Sequence, residues 1–252
     1  MLNFFRITIV FMMVLFSLPA LSNSLLNQHA LATSQAISAF YMYNLTEGDE
    51  KYKAEYYLAM ASAQLHYLAL KSENKQIADE LKPLWNKIHE ANNFESTIAR
   101  GYNVSSYIRL ELRKYIDLLY LNIAGANTTQ TRGGETNLSE QLLRISLDVE
   151  MLSVRFFDVA NASKGAFSIS GGDMAIDPIS MAKNIRSRLQ IVQNRVQDEL
   201  VKKSLKTASG KWRYIEGYVI NYNQGSAYML VYYNKNRIKN LIGESRHQLS
   251  TH

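Results

Sequence analysis

The chain has no cysteine among its 252 residues. That excludes disulfides and a lipid-modified N-terminal cysteine, so packing alone must stabilise the fold. Proline is almost as scarce. Beyond the first 22 residues only Pro83 and Pro178 occur, which leaves long helices uninterrupted. Histidine is limited to His29, His66, His89, His247 and His252. The "HEANN" that starts at His89 lacks a second histidine four residues on, where Asn93 stands, so the zinc-helix pattern is incomplete. "FSISGGD" lacks the spacing of a nucleophile elbow, and no phosphate-binding or dinucleotide glycine fingerprint is present. No catalytic residue, metal ligand or cofactor is therefore expected, and a non-enzymatic role is the preferred reading.

Charge of one sign is lacking too. Twenty-eight basic residues face 22 acidic ones, a net charge of +6, and the two signs interleave in "ELVKKSLK" as on a solvated helix face. No nucleic-acid partner is expected, and attraction to anionic envelope surfaces is weak.

What is present is an apolar content of 47%, ample for a core. The N-terminus "MLNFFR-ITIVFMMVLFSL-PALS" has the basic start, short apolar run and small-residue exit of an export signal. Cleavage is expected near Ser22, with retention as an anchor the alternative. The expected location is a bacterial periplasm, or outside the cell. No later segment is apolar enough to span a bilayer.

Helical spacing dominates the rest. Helices are expected over Gln28 to Leu45, Asp49 to Lys71, Lys75 to Ala91, Asn93 to Ile123 and Asn137 to Asn161. Asn92 with Glu95, and Asn137 with Glu140, have capping-box spacing. Asp177 before Pro178 forms a cap and first helical turn, after which Ile185, Leu189, Val192, Val196 and Leu200 make one apolar stripe. "LRISLDVEM", from Leu143 to Met151, alternates as a half-buried strand would, but a lone strand has no partner, so helix is expected there as well.

The polar, Gly-rich residues 125–136 read as a linker between halves that echo each other. "WNKI" from Trp85 corresponds to "WRYI" from Trp212, and "YNVSSYIRLELRKYIDLL" from Tyr102 to "YNQGSAYMLVYYNKNRIKNL" from Tyr222. The expected fold class is all-α: an antiparallel helical bundle of two related four-helix units in tandem, residues 23–124 and 137–244, with a tail over 245–252. Trp212 and Ile215 are candidate core residues. Tyrosines gather at Tyr41 to Tyr67, Tyr102 to Tyr120 and Tyr214 to Tyr233, where they suit both bundle rims and binding faces.

"EMLSVRF", from Glu150 to Phe156, resembles the motif helix of the PilJ-type domain, the sensor region of type IV pilus chemotaxis-like transducers. The closing "KWRYIEGYVINYN…LVYYNKNRIKNL" is similar to the last helices of exported, freestanding members. Met151, Leu152, Ser153 and Arg155 match the motif. Asp148 and Glu150 stand where basic residues are usual, and Val154 replaces a glutamine. The resemblance implies a sensory four-helix bundle that binds a small ligand and acts through a membrane or envelope partner. Ser153 and Arg155 would be ligand-binding residues, with Arg155 holding a small anion. The other reading of Arg155 pairs it with an acid on a neighbouring helix. Tyr222, Asn223, Tyr228 and Tyr232 are candidate surface binding residues. A structural envelope or assembly protein without a small ligand is the alternative function.

Overall fold

The computed structural model describes residues 2–91, 94–130, 137–164, 175–221 and 225–250, and of residues 2–22 the backbone alone. Nine α-helices and one 3₁₀ turn make up the described residues, with no strand among them. They are α1 (Leu2–Leu45), α2 (Glu50–Glu73), α3 (Lys75–Ala91), α4 (Phe94–Ile98), α5 (Ser106–Gln130), α6 (Leu138–Lys164), α7 (Pro178–Arg195), α8 (Glu199–Ile220) and α9 (Tyr228–Ser250). The all-α fold read from the sequence is thus the observed one.

Contacts arrange these helices in two rings. In one, α1 packs on α2 and α5, and α3 closes the ring between α2 and α5. In the other, α6 packs on α7 and α9, and α8 closes it. The rings join along α1 and α6. Asn27 donates to Glu140 at 2.7 Å, Ser38 to Glu150 at 2.6 Å and Tyr41 to Asp158 at 3.1 Å, so the two helices run parallel. Within the rings, pairs such as Lys87 with Glu111 and Asn122 with Glu80 show neighbours running antiparallel. One contiguous apolar core runs through both rings, with Trp85 and Trp212 both buried in it.

Residues 26–45 of α1 and 142–162 of α6 are central and bury most of their side chains, polar ones included. This settles "LRISLDVEM". Its alternation does not mark a wet and a dry face, because Ser146, Asp148 and Glu150 are as inaccessible as the apolar residues between them. The segment lies within α6.

Four boundaries differ from the sequence reading. α1 starts at Leu2, well before the expected Gln28. The helix expected over Asn93 to Ile123 breaks after Ile98, where Gly101 and Tyr102 take φ of 63° and 61° and Tyr102 donates its N–H back to Thr97 at 2.8 Å. A left-handed pair cannot continue a helix. The Ile185 to Leu200 stripe is cut at Val196, because the Asp198 carboxylate caps a new helix by accepting from the N–H groups of Leu200 at 2.7 Å and Val201 at 3.0 Å. The register shifts at the cut: Val196 and Val201 are buried, whereas Leu200, read as the last residue of the stripe, is exposed at 67%. α5 also runs on to Gln130, into the segment read as linker.

Other caps form as expected. Asp177 accepts from the N–H groups of Ile179 at 3.2 Å and Ser180 at 3.1 Å, and Asn137 from that of Ser139 at 2.8 Å. Glu140 does not return the second bond of a capping box and binds Asn27 instead. Asn92 and the "FSISGGD" loop lie outside the described residues. At Gly48, φ is 98° and a Cβ would come within 2.6 Å of the Tyr102 hydroxyl, so the α1–α2 turn and the α4–α5 turn fit together only around glycine.

Candidate functional site in the cleft between the second and ninth helices

α9 positions its side chains by helical spacing. Val231, Lys235, Ile238 and Ile242 recur every three or four residues and face the core. A lysine in an apolar stripe needs a partner. Lys235, 1% exposed, finds it in Glu150, also 1% exposed, with Nζ 2.5 Å from Oε1. The same oxygen accepts from Ser38 on α1, and the ammonium lies 4.5 Å from the centre of the Tyr232 ring and 3.3 Å from Asn236 Oδ1. Burial lowers the pKa of Lys235; Glu150 opposes that shift and Lys239 adds to it.

One turn earlier, the Tyr232 hydroxyl donates a short hydrogen bond to the Glu55 carboxylate on α2. Its ring meets Tyr52 edge-on at 5.1 Å. Burial, then the bond to Glu55, pushes the Tyr232 pKa far up, which keeps the hydroxyl a donor. Beyond this contact, α2 and α9 bound a cleft of about 370 Å³, with Gln35 of α1 at its base. Its walls carry Glu55, Leu58 and Ser62 from α2, and Asn236, Lys239 and Asn240 from α9.

Three further buried polar clusters serve packing. Asp158 of α6 lies 2.9 Å from Arg109 Nε, accepts from Tyr41 and also pairs with Arg113. Asp148 lies 2.7 Å from Arg188 Nη1 and 3.0 Å from Arg144 Nε, the latter contact too misaligned for a hydrogen bond. His29 bridges α2 and α5: its Nδ1 is 2.9 Å from the Ala63 carbonyl and its Nε2 is 2.6 Å from the Tyr115 hydroxyl. Among the described residues no group of three or more acids and histidines could hold a metal ion, and no helix is long and apolar enough to cross a membrane.

The residues singled out from the sequence scatter. Ser153 is buried and returns its hydroxyl proton to the Val149 carbonyl of its own helix. Arg155 donates to the Ile176 carbonyl and borders a void of about 20 Å³, which has room for one water and none for a ligand. Tyr228 is half-buried against the core. Tyr222 and Asn223 lie outside the described residues. Tyr232 is not a surface residue, at 6% exposure, yet it is the candidate that reaches the cleft. The sequence reading missed Glu55, Glu150, Lys235 and Lys239. For Lys235 the signal was legible, since it occupies a position in the apolar stripe of α9. Glu55 carries no such mark, because it meets Tyr232 across 177 positions.

Asp148 and Glu150, the departures from the PilJ-type motif, are the residues that pair with Arg188 and Lys235. No protein family, curated protein or solved structure matches the chain.

Proposed function

We propose that this protein is an exported, non-enzymatic helical-bundle module that binds a small ligand in the α2–α9 cleft and acts through a membrane or envelope partner. The carrying observation is the position of the cleft over the buried Lys235–Glu150 pair. That pair, with Ser38 and the Tyr232–Glu55 bond, ties together α1, α2, α6 and α9. A ligand that contacts Tyr232, Lys235 or Asn236 touches the joint between the two rings, and any difference in its affinity for two packings of that joint shifts their populations. The export signal and the PilJ-like "EMLSVRF" support the sensory part of this reading. In this reading the cleft, in place of Arg155, holds the anion.

A second observation favours the interaction role. α2 exposes Leu58 at 74%, Leu65 at 68% and Leu68 at 51%, in line with Ala54 and Ala61. The average repeat of 3.5 residues is that of a helix-pairing seam, suited to one helix of an envelope partner.

A thermal-shift screen of the exported protein against small organic acids, amino acids and inorganic anions tests the ligand reading. A ligand at a hundred times its dissociation constant adds about 2.7 kcal/mol of stability. The expected result is a reproducible hit that Asn236→Leu weakens. A flat response from the folded protein leaves the α2 seam as the functional surface.

A further inference from the structure

Resting on the cleft reading above, we infer that the ligand is a small zwitterion of the α-amino-acid class, bound by Glu55 at one end of the α2–α9 cleft and by Lys239 at the other.

The charges of the cleft are separated along its length. Lys235 is already balanced by Glu150 beneath the floor, so it adds no net attraction. Glu55, whose only basic contact among the described residues is a long, exposed ion pair with Lys51, and Lys239 are the opposite charges on the walls. Tyr232, which holds Glu55, and Lys239 are seven residues apart on α9, or roughly 10 Å along the axis. A ligand ammonium and carboxylate, each reaching its partner through a hydrogen bond of about 2.8 Å and joined by two bonded carbons, span most of that distance. The lysine side chain closes the rest.

Glu55 is set up to accept. Its Oε2 accepts a hydrogen bond from the Tyr232 hydroxyl, and its Oε1 forms only a long ion pair with Lys51 at 4.0 Å, beyond hydrogen-bond reach. Tyr232 therefore fixes the carboxylate while leaving one oxygen for a ligand ammonium. At the other end, Lys239 is half-buried, and Asn236 and Asn240 offer amide donors to a carboxylate. Between the ends, Leu58 and Ala59 form an apolar wall for the ligand side chain.

Other classes fit less well. A simple anion meets Glu55, a simple cation meets Lys239, and a polyphosphate finds one uncompensated ammonium. The volume of about 370 Å³ is at the small end of ligand sites, which run from roughly 300 to 1,000 Å³, and so suits a single amino acid or a dipeptide.

The test measures thermal shift and titration calorimetry with the standard α-amino acids, their N-acetyl derivatives and their carboxamides. It uses the exported protein and the variants Glu55→Gln and Lys239→Met, each first shown to fold by circular dichroism. One or more free amino acids should bind, and neither blocked form should. Each variant should weaken binding by about tenfold or more, the loss of one charge-assisted hydrogen bond. If N-acetyl amino acids or plain carboxylates bind equally well, and Lys239→Met but not Glu55→Gln abolishes it, the ligand is an anion: the zwitterion assignment falls and the cleft stands. Binding that neither variant changes overturns the cleft itself, and so does the absence of binding by every probe.

Discussion

Glu150→Gln and Lys235→Met should each destabilise the protein by about 3–5 kcal/mol, the usual cost of leaving one member of a buried ion pair without its partner. Both residues are 1% exposed, so water cannot reach the orphaned charge. Glu150→Gln leaves an ammonium over the Tyr232 ring with only amide oxygens as acceptors, that of the new side chain and that of Asn236. Lys235→Met leaves a carboxylate with the Ser38 hydroxyl as its remaining partner. The double variant, Glu150→Gln with Lys235→Met, should recover much of the loss, because it removes both charges. Urea-unfolding midpoints of the four proteins close the cycle. Additive losses would show that the two side chains do not interact. The exposed Lys202–Glu199 contact, a pair three residues apart on α8, should show little effect on disruption.

Acidification should unfold the protein in a window set by His29. Burial lowers its pKa to about 4, with the Ala63 hydrogen bond opposing and His66 adding a small further decrease. In the unfolded chain the ordinary value is near 6.5. Between those values the unfolded state holds a proton that the folded state does not. Stability therefore falls as pH drops from about 6.5 toward 4, and is unaffected by this group above 6.5. Each pH unit across the window corresponds to about 1.4 kcal/mol, so the whole effect approaches about 3 kcal/mol. The structural cause is that an imidazolium has two donors. The Ala63 carbonyl accepts one, but the Tyr115 hydroxyl must reverse its bond to accept the other inside an aromatic cluster with Trp85 and Tyr67. Urea midpoints at pH 7 and pH 5 should differ more for the wild type than for His29→Gln, in which His66 and His89, whose pKa values burial also lowers, leave a smaller difference. An equal drop in both proteins would assign the acid sensitivity to other groups.

Much of the fold was legible because its signals are local. Asp177 with Pro178 marks the start of α7, and the bounds of α3 follow from spacing alone. The breaks were not legible. The stripe from Ile185 reads on through Val196 to Leu200 in the sequence, but the Asp198 cap starts a new helix that buries Val201 and exposes Leu200. At Tyr102 the chain adopts a left-handed backbone that a non-glycine residue does not announce.

The site was less legible than the fold. Tyrosine clustering led to Tyr232, whereas the motif match led to Ser153 and Arg155, which donate to the carbonyls of Val149 and Ile176. The acids of α6 look like a solvated face in a linear reading. Asp148, Glu150 and Asp158 are buried because α6 is surrounded by both rings, and each finds its base on another helix. Those pairings span from 40 to 85 positions along the chain, a range over which spacing carries no information.

The central claim is that the α2–α9 cleft is where this protein meets its ligand. Hydrogen exchange of backbone amides, measured with and without the strongest amino-acid hit, tests it most directly. The account predicts added protection over residues 55–62 of α2 and 232–240 of α9, with a smaller effect on α6 around Glu150. Protection centred instead on α5 around Arg109 and Arg113, with none along α2 and α9, would contradict it.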